Sequence, residues 1–209
     1  MKPKDMLGTF QDKAQGVSAT VVRSESLDSA LDYAVEVCAG KEACQLLVSG
    51  CDQPLSEKAS DLCELKEWSR LMAAPGLDQT TLDRLTPLCR DRDIKLINKG
   101  LREHLGGIDV GLTFADYGLA DTGSLVIDSS DENIRLATMI SEVHVALLPL
   151  SRLVQDSYAL ETTLKSHFEQ QANYMAFITG ASRTADIERV LTLGVHGPLD
   201  LHIVVLTGL

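Results

Sequence analysis

The spacing of apolar side chains predicts two helices near the start of the chain. The segment SESLDSALDYAVEVCAG, from Ser24 to Gly40, carries its apolar residues on one helical stripe. That stripe comprises Leu27, Leu31, Ala34, Val35 and Cys38. The earlier segment DMLGTFQDKA has the same period over a shorter length, so residues 1–16 are predicted to form a helical arm. We expect this arm to pack on its own core or on a second copy of the chain.

Four later stretches also have helical patterns. A polar region from Ser56 to Met72 predicts one helix, and TTLDRLTPLCRDRD predicts another, in which Pro87 removes a hydrogen-bond donor. A third candidate is ENIRLATMIS. The segment LVQDSYALETTLKSHFEQQA predicts a long helix. Its inward-facing positions are expected to be Tyr158, Leu160, Leu164 and Phe168.

Short apolar runs, several rich in β-branched residues, predict the strands. These runs are QLLVSG, IKLINKG, IDVGLT, SLVIDS, HVALLPL, YMAFITG and DLHIVVL. Because helical patterns separate most of them, the order favours an α/β fold with a mostly parallel sheet. Neither a repeat nor a linker interrupts the chain, so residues 17–209 are predicted to form a single domain after the arm.

Composition and charge narrow the class of partner. A hydrophobic content of 44% in 209 residues is typical of a well-buried globular domain. The formal net charge of −11 argues against binding to nucleic acid or to an anionic membrane surface. The sequence has neither a secretory signal nor a run of about 20 apolar residues, which a membrane-spanning helix requires. Five cysteines without a Cys-x-x-Cys pair predict reduced thiols in a cytoplasmic protein and no cluster or metal site.

The densest candidate site is the segment ITGASRTADIERVL. We predict a strand, a turn from Gly180 to Thr184, and a helix with Thr184 as its N-cap and Asp186 in its first turn. The Ser182 and Thr184 hydroxyls, Arg183 and nearby N–H groups would then form a cradle for a carboxylate or phosphate. The alternative is a structural turn in which Arg183 pairs with a neighbouring carboxylate.

Two other stretches could contribute to the same site. GVHGPLD contains His196, a candidate acid or base, metal ligand or turn-stabilising side chain; on spacing alone the structural role is favoured. In a parallel crossover, the intervening helix would separate His196 from Arg183 by about 13 Å. The two could share a site only if the loop folded back or the strands ran antiparallel.

The segment GLTFADYGLADTGSLVIDSS contains Asp116 and, in a possible second part of the site, Asp121, Thr122, Gly123 and Ser124. These groups could face a ligand hydroxyl or orient an arginine, or they could be solvated turn residues. No metal is predicted, because the histidines are scattered without ligand spacing. Nucleotide-binding and nucleophile-elbow motifs are also absent from the sequence.

The two segments GLTFADYGLADTGSLVI and ITGASRTADIERVLTLGVHGP resemble the signature segments of the LUD-domain proteins, the lactate utilization protein C family. The resemblance covers residues 108–206. Arg135 and the strand that starts at His144 fall where the family has an arginine and a His-Ile strand. The chain departs from the pattern at Ala181, where the family has proline, and at Asp121, where it has glutamate. It also lacks the usual pair of prolines before His144.

The resemblance implies a three-layer α/β/α fold similar to ribose-5-phosphate isomerase and the CoA transferases. It implies a subunit of an iron–sulfur-dependent complex that oxidises L-lactate to pyruvate, with the clusters in partner subunits and no cofactor in this chain. The hypothesis gives Arg183 the main contact with a small anion, with Ser182 and Thr184 as donors and Asp186 or Asp121 orienting the arginine. Thr122 and Gly123 would line the same pocket, and His196 or His144 would transfer protons. Two alternatives stay open: a stand-alone enzyme acting on a sugar phosphate, CoA thioester or folate-like substrate, and a purely structural interaction subunit.

Overall fold

A computed structural model describes residues 3–41, 56–64, 70–104, 106–169, 173–186, 190–193 and 197–208. The helices in these ranges are α1 (Pro3–Gly16), α2 (Leu27–Ala39), α3 (Glu57–Glu64), α4 (Gln79–Arg90), α5 (Glu132–Ile140) and α6 (Glu161–Phe168). The strands are β1 (Ala19–Ser24), β2 (Leu71–Ala73), β3 (Lys95–Ile97), β4 (Ile108–Phe114), β5 (Tyr117–Leu119), β6 (Ser124–Asp128), β7 (Ser141–Pro149), β8 (Leu153–Val154), β9 (Met175–Ile178), β10 (Arg183–Asp186), β11 (Val190–Leu193) and β12 (Asp200–Leu206). Short 3₁₀ turns occur at Leu101–Glu103, Leu150–Arg152 and Ser157–Leu160.

Six strands form a central parallel sheet in the order β1-β12-β7-β4-β2-β3. Side chains of β7 alternate between its two faces. Val145 and Leu147 pack with α2 and α4, whereas Ala146 and Leu148 belong to the cluster that contains the α1 side chains. Helix α5 lies on the same face of the sheet as α1. Its Ala137 clusters with side chains of β2 and β4. The sheet is therefore covered on both faces, which confirms the predicted α/β fold.

A second sheet lies on the face that α1 covers. Its four strands follow the order β8-β5-β6-β9, and β9 runs antiparallel to β6 along one edge. Leu125 and Ile127 of β6 point to the α1 cluster, while Val126 packs on the outer side with Leu160. Strands β10 and β11 form a separate antiparallel hairpin. This second sheet and the hairpin carry both motifs on which the predicted site rests.

Helix starts follow local capping chemistry. Ser26, Asp78 and Asp131 each accept a hydrogen bond from a backbone N–H of the first turn of α2, α4 and α5. Helix α4 continues to Arg90 despite Pro87. The arm helix α1 packs on the core of its own chain, because Leu7, Phe10 and Ala14 are buried in one cluster with strand side chains. These three residues are the inner stripe of the amphipathic arm.

Three predicted helices differ from the structure. Arg183–Asp186 and Val190–Leu193 form the antiparallel pair β10–β11, so Thr184 is not an N-cap. Thr184 and Thr192 instead pair across the strands, where β-branched residues are favoured. The helix predicted to reach Met72 ends at Glu64, and Leu71–Ala73 is a buried strand between β3 and β4.

The long helix predicted around residues 153–172 begins only at Glu161. Asp156 caps the 3₁₀ turn before it, and β8 pairs with β5. Tyr158 and Phe168 are 83% and 59% exposed, so these two predicted inward positions are wrong, while Leu160 is buried. The strand predicted for QLLVSG, residues 45–50, lies outside the described residues.

Candidate functional site

The second motif folds into a tight crossing between β9 and the hairpin. Gly180 has a φ of 76°, and a Cβ at this position would overlap the carbonyl oxygen of Val17. Only glycine fits this position without moving the backbone. Two residues later, the Ser182 N–H donates a hydrogen bond of 2.9 Å to the Pro198 carbonyl oxygen. The chain before the hairpin and the chain after it therefore meet at one point.

Antiparallel pairing is what brings these ends together. Arg183 lies opposite Leu193 in the hairpin. The sequence argument required such an arrangement if Arg183 and His196 were to share a site. His196 itself, and the side chains of Thr184 and Asp186, fall outside what the structure describes. Their proposed roles stay predictions.

A groove with a volume of about 390 Å³ runs from the base of the hairpin along β9 and α5. Its polar wall contains Ser129, Arg135, Thr138, Thr179, Ser182 and Arg183. The Arg183 side chain is exposed, and no ion pair joins it to any side chain that the structure describes. Of the predicted ligand-binding residues, Ser182 and Arg183 thus line one open groove.

Arg135 lies at the other end of the groove. Its Nη1 donates a hydrogen bond of 2.9 Å to the Ser129 carbonyl oxygen, and its guanidinium carbon lies 5.6 Å from the centroid of the Tyr174 ring. This geometry fixes the cation over an aromatic face at the groove wall. The sequence pointed to Arg135 only through the family resemblance. It gave no indication that Tyr174 would contact it.

Hydroxyl groups connect the groove to the first motif. The Ser124 hydroxyl lies 2.7 Å from the Thr179 hydroxyl and donates to the Thr122 hydroxyl at 2.8 Å. Thr179 lines the groove, whereas Thr122 does not. Thr122 therefore touches the groove only through two intervening hydroxyls. Thr179 was absent from the predicted site, although it directly precedes Gly180 in the quoted segment.

The other two residues of the first motif also lie away from the groove lining. Gly123 has a φ of 69°, and a Cβ there would overlap the backbone of Ala14 in α1. Its absence of a side chain lets helix α1 approach the β5–β6 turn. Asp121 is exposed, and its backbone N–H donates to the Gln155 carbonyl oxygen at 3.0 Å. The predicted common pocket therefore does not form from Thr122 and Gly123 beside Arg183.

His144 is a buried residue of β7 that faces Thr113 of the neighbouring strand β4. Its Nε2 lies 2.9 Å from the Thr113 hydroxyl, and its Nδ1 has no hydrogen-bond partner among the described residues. Burial lowers the pKa of His144 to about 4, so the side chain is neutral near pH 7. It does not line the Arg183 groove. A proton-transfer role there stays a prediction without support from this geometry.

A smaller cavity of about 230 Å³ lies where β2 and β4 end. The chain leaves β2 towards β3 and leaves β4 towards β7, on the opposite side, and such divergence opens a crevice in parallel sheets. Asp116, Asp128 and Asp131 line it. All three accept hydrogen bonds from backbone N–H groups of β6, α5 and the segment between them. The cavity is acidic and therefore unsuited to an anionic substrate.

The described residues contain no group of three or more His, Cys, Asp or Glu side chains that could hold a metal ion. Burial raises the pKa of the thiols of Cys38 and Cys89 to about 12, with nearby Asp109 adding to the effect at Cys38. Both therefore stay protonated at neutral pH. Over the same described part of the chain, no helix is both long and apolar enough to cross a membrane.

The covered parallel sheet and the groove at its second layer define an α/β protein with an arginine-lined surface site. The sequence model of the LUD domain matches residues 7–206, so the chain belongs to the LUD domain family. A crystal structure of a DUF162 family protein from Deinococcus radiodurans has the same fold, with a TM-score of 0.56 over 99% of both chains and 14% sequence identity.

Curated relatives share a shorter segment with the chain. A lactate utilization protein C from Halalkalibacterium halodurans is 38% identical over 94 residues, which is 44% of this chain and 41% of that protein. Another, from Shouchella clausii, is 37% identical over 97 residues, again 44% and 41% of the two lengths. The matched segment thus spans about two fifths of the length of these relatives.

Proposed function

We propose that the chain serves lactate utilization in the cytoplasm, as a subunit of an iron–sulfur-dependent complex that oxidises L-lactate to pyruvate. Within that complex, its groove binds a small carboxylate at the Arg183 end. The names of the relatives support the pathway. The observation that carries the ligand proposal is the exposed Arg183 guanidinium in an open groove beside Ser182 and Thr179.

The chemistry of this end of the groove suits a carboxylate. A guanidinium presents parallel N–H donors that match both oxygens of a carboxylate. The Thr179 hydroxyl can complement the ligand, and the hydroxyl of a 2-hydroxy acid would lie within reach of such a group. Because the site is open to solvent, screening limits the strength of the contact. We therefore expect a dissociation constant of about 1 mM, equivalent to roughly 4 kcal/mol.

Oxidation of lactate to pyruvate removes two electrons and two protons, and the iron–sulfur clusters supply the electron acceptor. The proposal places these clusters in partner subunits. The two cysteines whose side chains the structure describes, Cys38 and Cys89, are both buried and neutral. The role left to this chain is to bind and orient the anion while a partner removes the electrons.

The alternative that the chain is a stand-alone enzyme has less support than the subunit proposal. Sugar phosphates and CoA thioesters are strongly anionic, and α/β enzymes bind such ligands where diverging strands end. In this chain that position carries the acidic cavity lined by Asp116, Asp128 and Asp131. Three carboxylates would repel a phosphate.

Titration of the purified protein with lactate, pyruvate and inorganic phosphate tests the anion site. Calorimetry or NMR chemical shifts should detect lactate or pyruvate binding that Arg183→Gln weakens by about tenfold or more. Arg90→Gln is the matched control, because Arg90 is an exposed arginine at the end of α4, on the opposite face of the sheet. Equal affinity in Arg183→Gln and the wild type would refute the site.

Membership of the complex needs a separate experiment. A tagged chain should co-purify with cluster-bearing subunits from cells grown on lactate, and its deletion should prevent lactate-dependent growth. Restoration of that growth by Arg90→Gln but not by Arg183→Gln would show that lactate utilization depends on the anion site. Normal growth of the deletion strain on lactate would contradict the role in lactate utilization.

A further inference from the structure

In the described part of the chain, strand β9 is the last strand of the second sheet and pairs on one side only. Its inner edge pairs with β6, and the Ser129 N–H donates to the Tyr174 carbonyl oxygen at 2.8 Å. In an antiparallel pair the backbone groups of successive residues point alternately towards and away from the partner. Tyr174 and Ala176 therefore face β6, whereas the N–H and C=O groups of Met175 and Phe177 face outwards. Within the described part of the chain, nothing hydrogen-bonds to those outward groups.

Exposed apolar side chains gather beside this open edge. Met139 at the end of α5, Tyr174 and Phe177 are 50%, 54% and 47% exposed, and all three line the groove. Ile140 follows Met139 and is 38% exposed. Soluble monomers rarely group large apolar side chains in this way, and an open edge strand is itself a template for pairing.

The positive charges along the groove favour an acidic ligand. Arg135 lies at the Tyr174 end, and Arg183 lies beyond Thr179 at the other end. At about 3.3 Å per residue, the run from Tyr174 to Thr179 is roughly 16 Å long. An extended segment that followed β9 would therefore pass both arginines. These two cations stand out on a chain whose formal net charge is −11.

From these observations we infer that the open edge of β9 is the docking site for an extended acidic segment of a partner protein. The segment adds a strand to the second sheet, with its backbone bonded to Met175 and Phe177. Its apolar side chains cover Phe177 and Met139, and an acidic side chain pairs with Arg135. Strand addition of this kind takes affinity from the backbone and specificity from alternate side chains.

A second copy of the same chain fits this edge less well. Antiparallel pairing of two β9 strands would set the Tyr174 end of one copy against the Thr179 end of the other. Arg135 of one protomer would then face Arg183 of its partner, and like charges placed opposite each other are destabilising. The inference goes beyond the small-anion site and does not require it.

Fluorescence anisotropy with a labelled nine-residue peptide of alternating glutamate and valine tests the docking site. The peptide should bind the full chain with an affinity that falls as salt rises. A peptide with lysine in place of glutamate should not bind, and neither should a glutamate peptide N-methylated at alternate amides, which cannot pair as a strand. Equal binding of all three peptides would overturn the inference.

Two substitutions and their controls locate the site. Phe177→Pro removes one outward N–H and leaves the hydrogen bonds to β6 in place, whereas Arg135→Gln removes the cation. Each substitution should lower the affinity for the peptide by about tenfold. Arg152→Gln and Phe168→Glu should have no effect, because Arg152 stacks on Tyr117 and neither residue lines the groove. If Phe177→Pro fails to fold, Phe177→Glu takes its place.

Two further outcomes would count against the inference. Full peptide binding by the folded Phe177 and Arg135 variants would place the contact elsewhere. A dimer of the free chain that Phe177→Glu dissociates would assign the edge to a second copy. Lactate titration of the wild-type chain measures the small-anion site separately from the peptide titration, so failure of the small-anion site and failure of the docking site give different results.

Discussion

The hydroxyl of Ser124 lies 2.7 Å from the hydroxyl of Thr179, and this contact joins the two motifs of the chain across the β6–β9 pair. Ser124 is 4% exposed. The hydrogen bond connects Ser124 of the first motif to Thr179 of the second, which lines the groove. The relationship gives a direct stability prediction.

Removal of either hydroxyl should destabilise the fold. A net hydrogen bond contributes about 1 kcal/mol, so Ser124→Ala and Thr179→Val should each lower the free energy of unfolding by about that amount. The double variant should cost less than the sum, with a coupling of about 0.5–1 kcal/mol. Urea denaturation of the four proteins measures this cycle. Strict additivity would show that the two hydroxyls do not interact in solution.

The crossing at Gly180 predicts a larger effect. Gly180→Ala places a Cβ into the Val17 carbonyl oxygen in a backbone conformation that alanine rarely adopts. We expect a loss of about 2 kcal/mol or more in the free energy of unfolding. Gly8 in α1 is the matched control, because a Cβ there has no atom within 4 Å. Gly8→Ala should instead stabilise the helix by up to about 1 kcal/mol.

Thermal unfolding monitored by circular dichroism compares the two alanine variants. Gly180→Ala should melt several degrees below the wild type and Gly8→Ala above it. If both variants shifted in the same direction by the same amount, the contact of Gly180 with the α1–β1 turn would not hold.

The regular elements could be predicted because their patterns are local. The stripe on α2 depends on residues three and four apart, and the predicted inner positions such as Leu31 and Val35 are buried. Strands β4, β7 and β12 come from continuous apolar runs, as expected where both faces of a parallel sheet are covered. In these segments local pattern and tertiary environment agree.

Elsewhere, contacts distant in sequence decided the structure. Leu71–Ala73 is too short to show a period, and its strand character comes from β3 and β4 on either side. Downstream of Ser182, apolar spacing predicted a helix, yet Arg183–Asp186 and Val190–Leu193 pair as antiparallel strands. Short apolar segments do not distinguish helix from strand by periodicity alone.

The site was only partly accessible from sequence for the same reason. Ser182 and Arg183 belong to one continuous motif, so their proximity is local. Arg135 and Tyr174 are far apart in sequence and meet only because α5 packs beside β9. No spacing rule relates them. The open edge of β9 likewise depends on the order of strands in the second sheet, which the sequence did not define.

Burial of His144 predicts a loss of stability in mild acid. Its pKa of about 4 in the folded chain lies below the unfolded value of 6.5, so the unfolded state binds more protons between these values. Stability is then fully present above pH 6.5 and falls as pH drops towards 4. The contribution lost between pH 7 and pH 5 is about 2 kcal/mol. His202, whose pKa burial also lowers, acts in the same direction.

Urea denaturation at several pH values isolates the His144 contribution. His144→Gln keeps a polar side chain near Thr113 but does not titrate, so its stability should fall less between pH 7 and pH 5 than that of the wild type. The variant is expected to be less stable at pH 7 because the packing at a buried position changes. Identical slopes for the two proteins would show that His144 does not control the acid sensitivity.

The last prediction concerns the buried ion pair of Lys41 and Glu142, which lies beside the groove lining. The side chains are 9% and 1% exposed, and the Glu142 carbonyl oxygen accepts a 2.7 Å hydrogen bond from Leu199, next to Pro198 of the groove lining. Lys41→Met removes this cation from beside the buried Glu142 carboxylate and should cost about 3 kcal/mol.

The exposed pair of Lys165 and Glu161 on α6 is the control, since its lysine is 70% exposed. Lys165→Met should cost no more than about 0.5 kcal/mol, because solvent already screens that pair. Adding Glu142→Gln to Lys41→Met removes the buried negative charge and should recover part of the lost stability. The corresponding Glu161→Gln change at the exposed pair should recover little. Urea denaturation of these variants measures the difference. Similar costs for the two lysine substitutions would mean that water reaches Glu142 in solution.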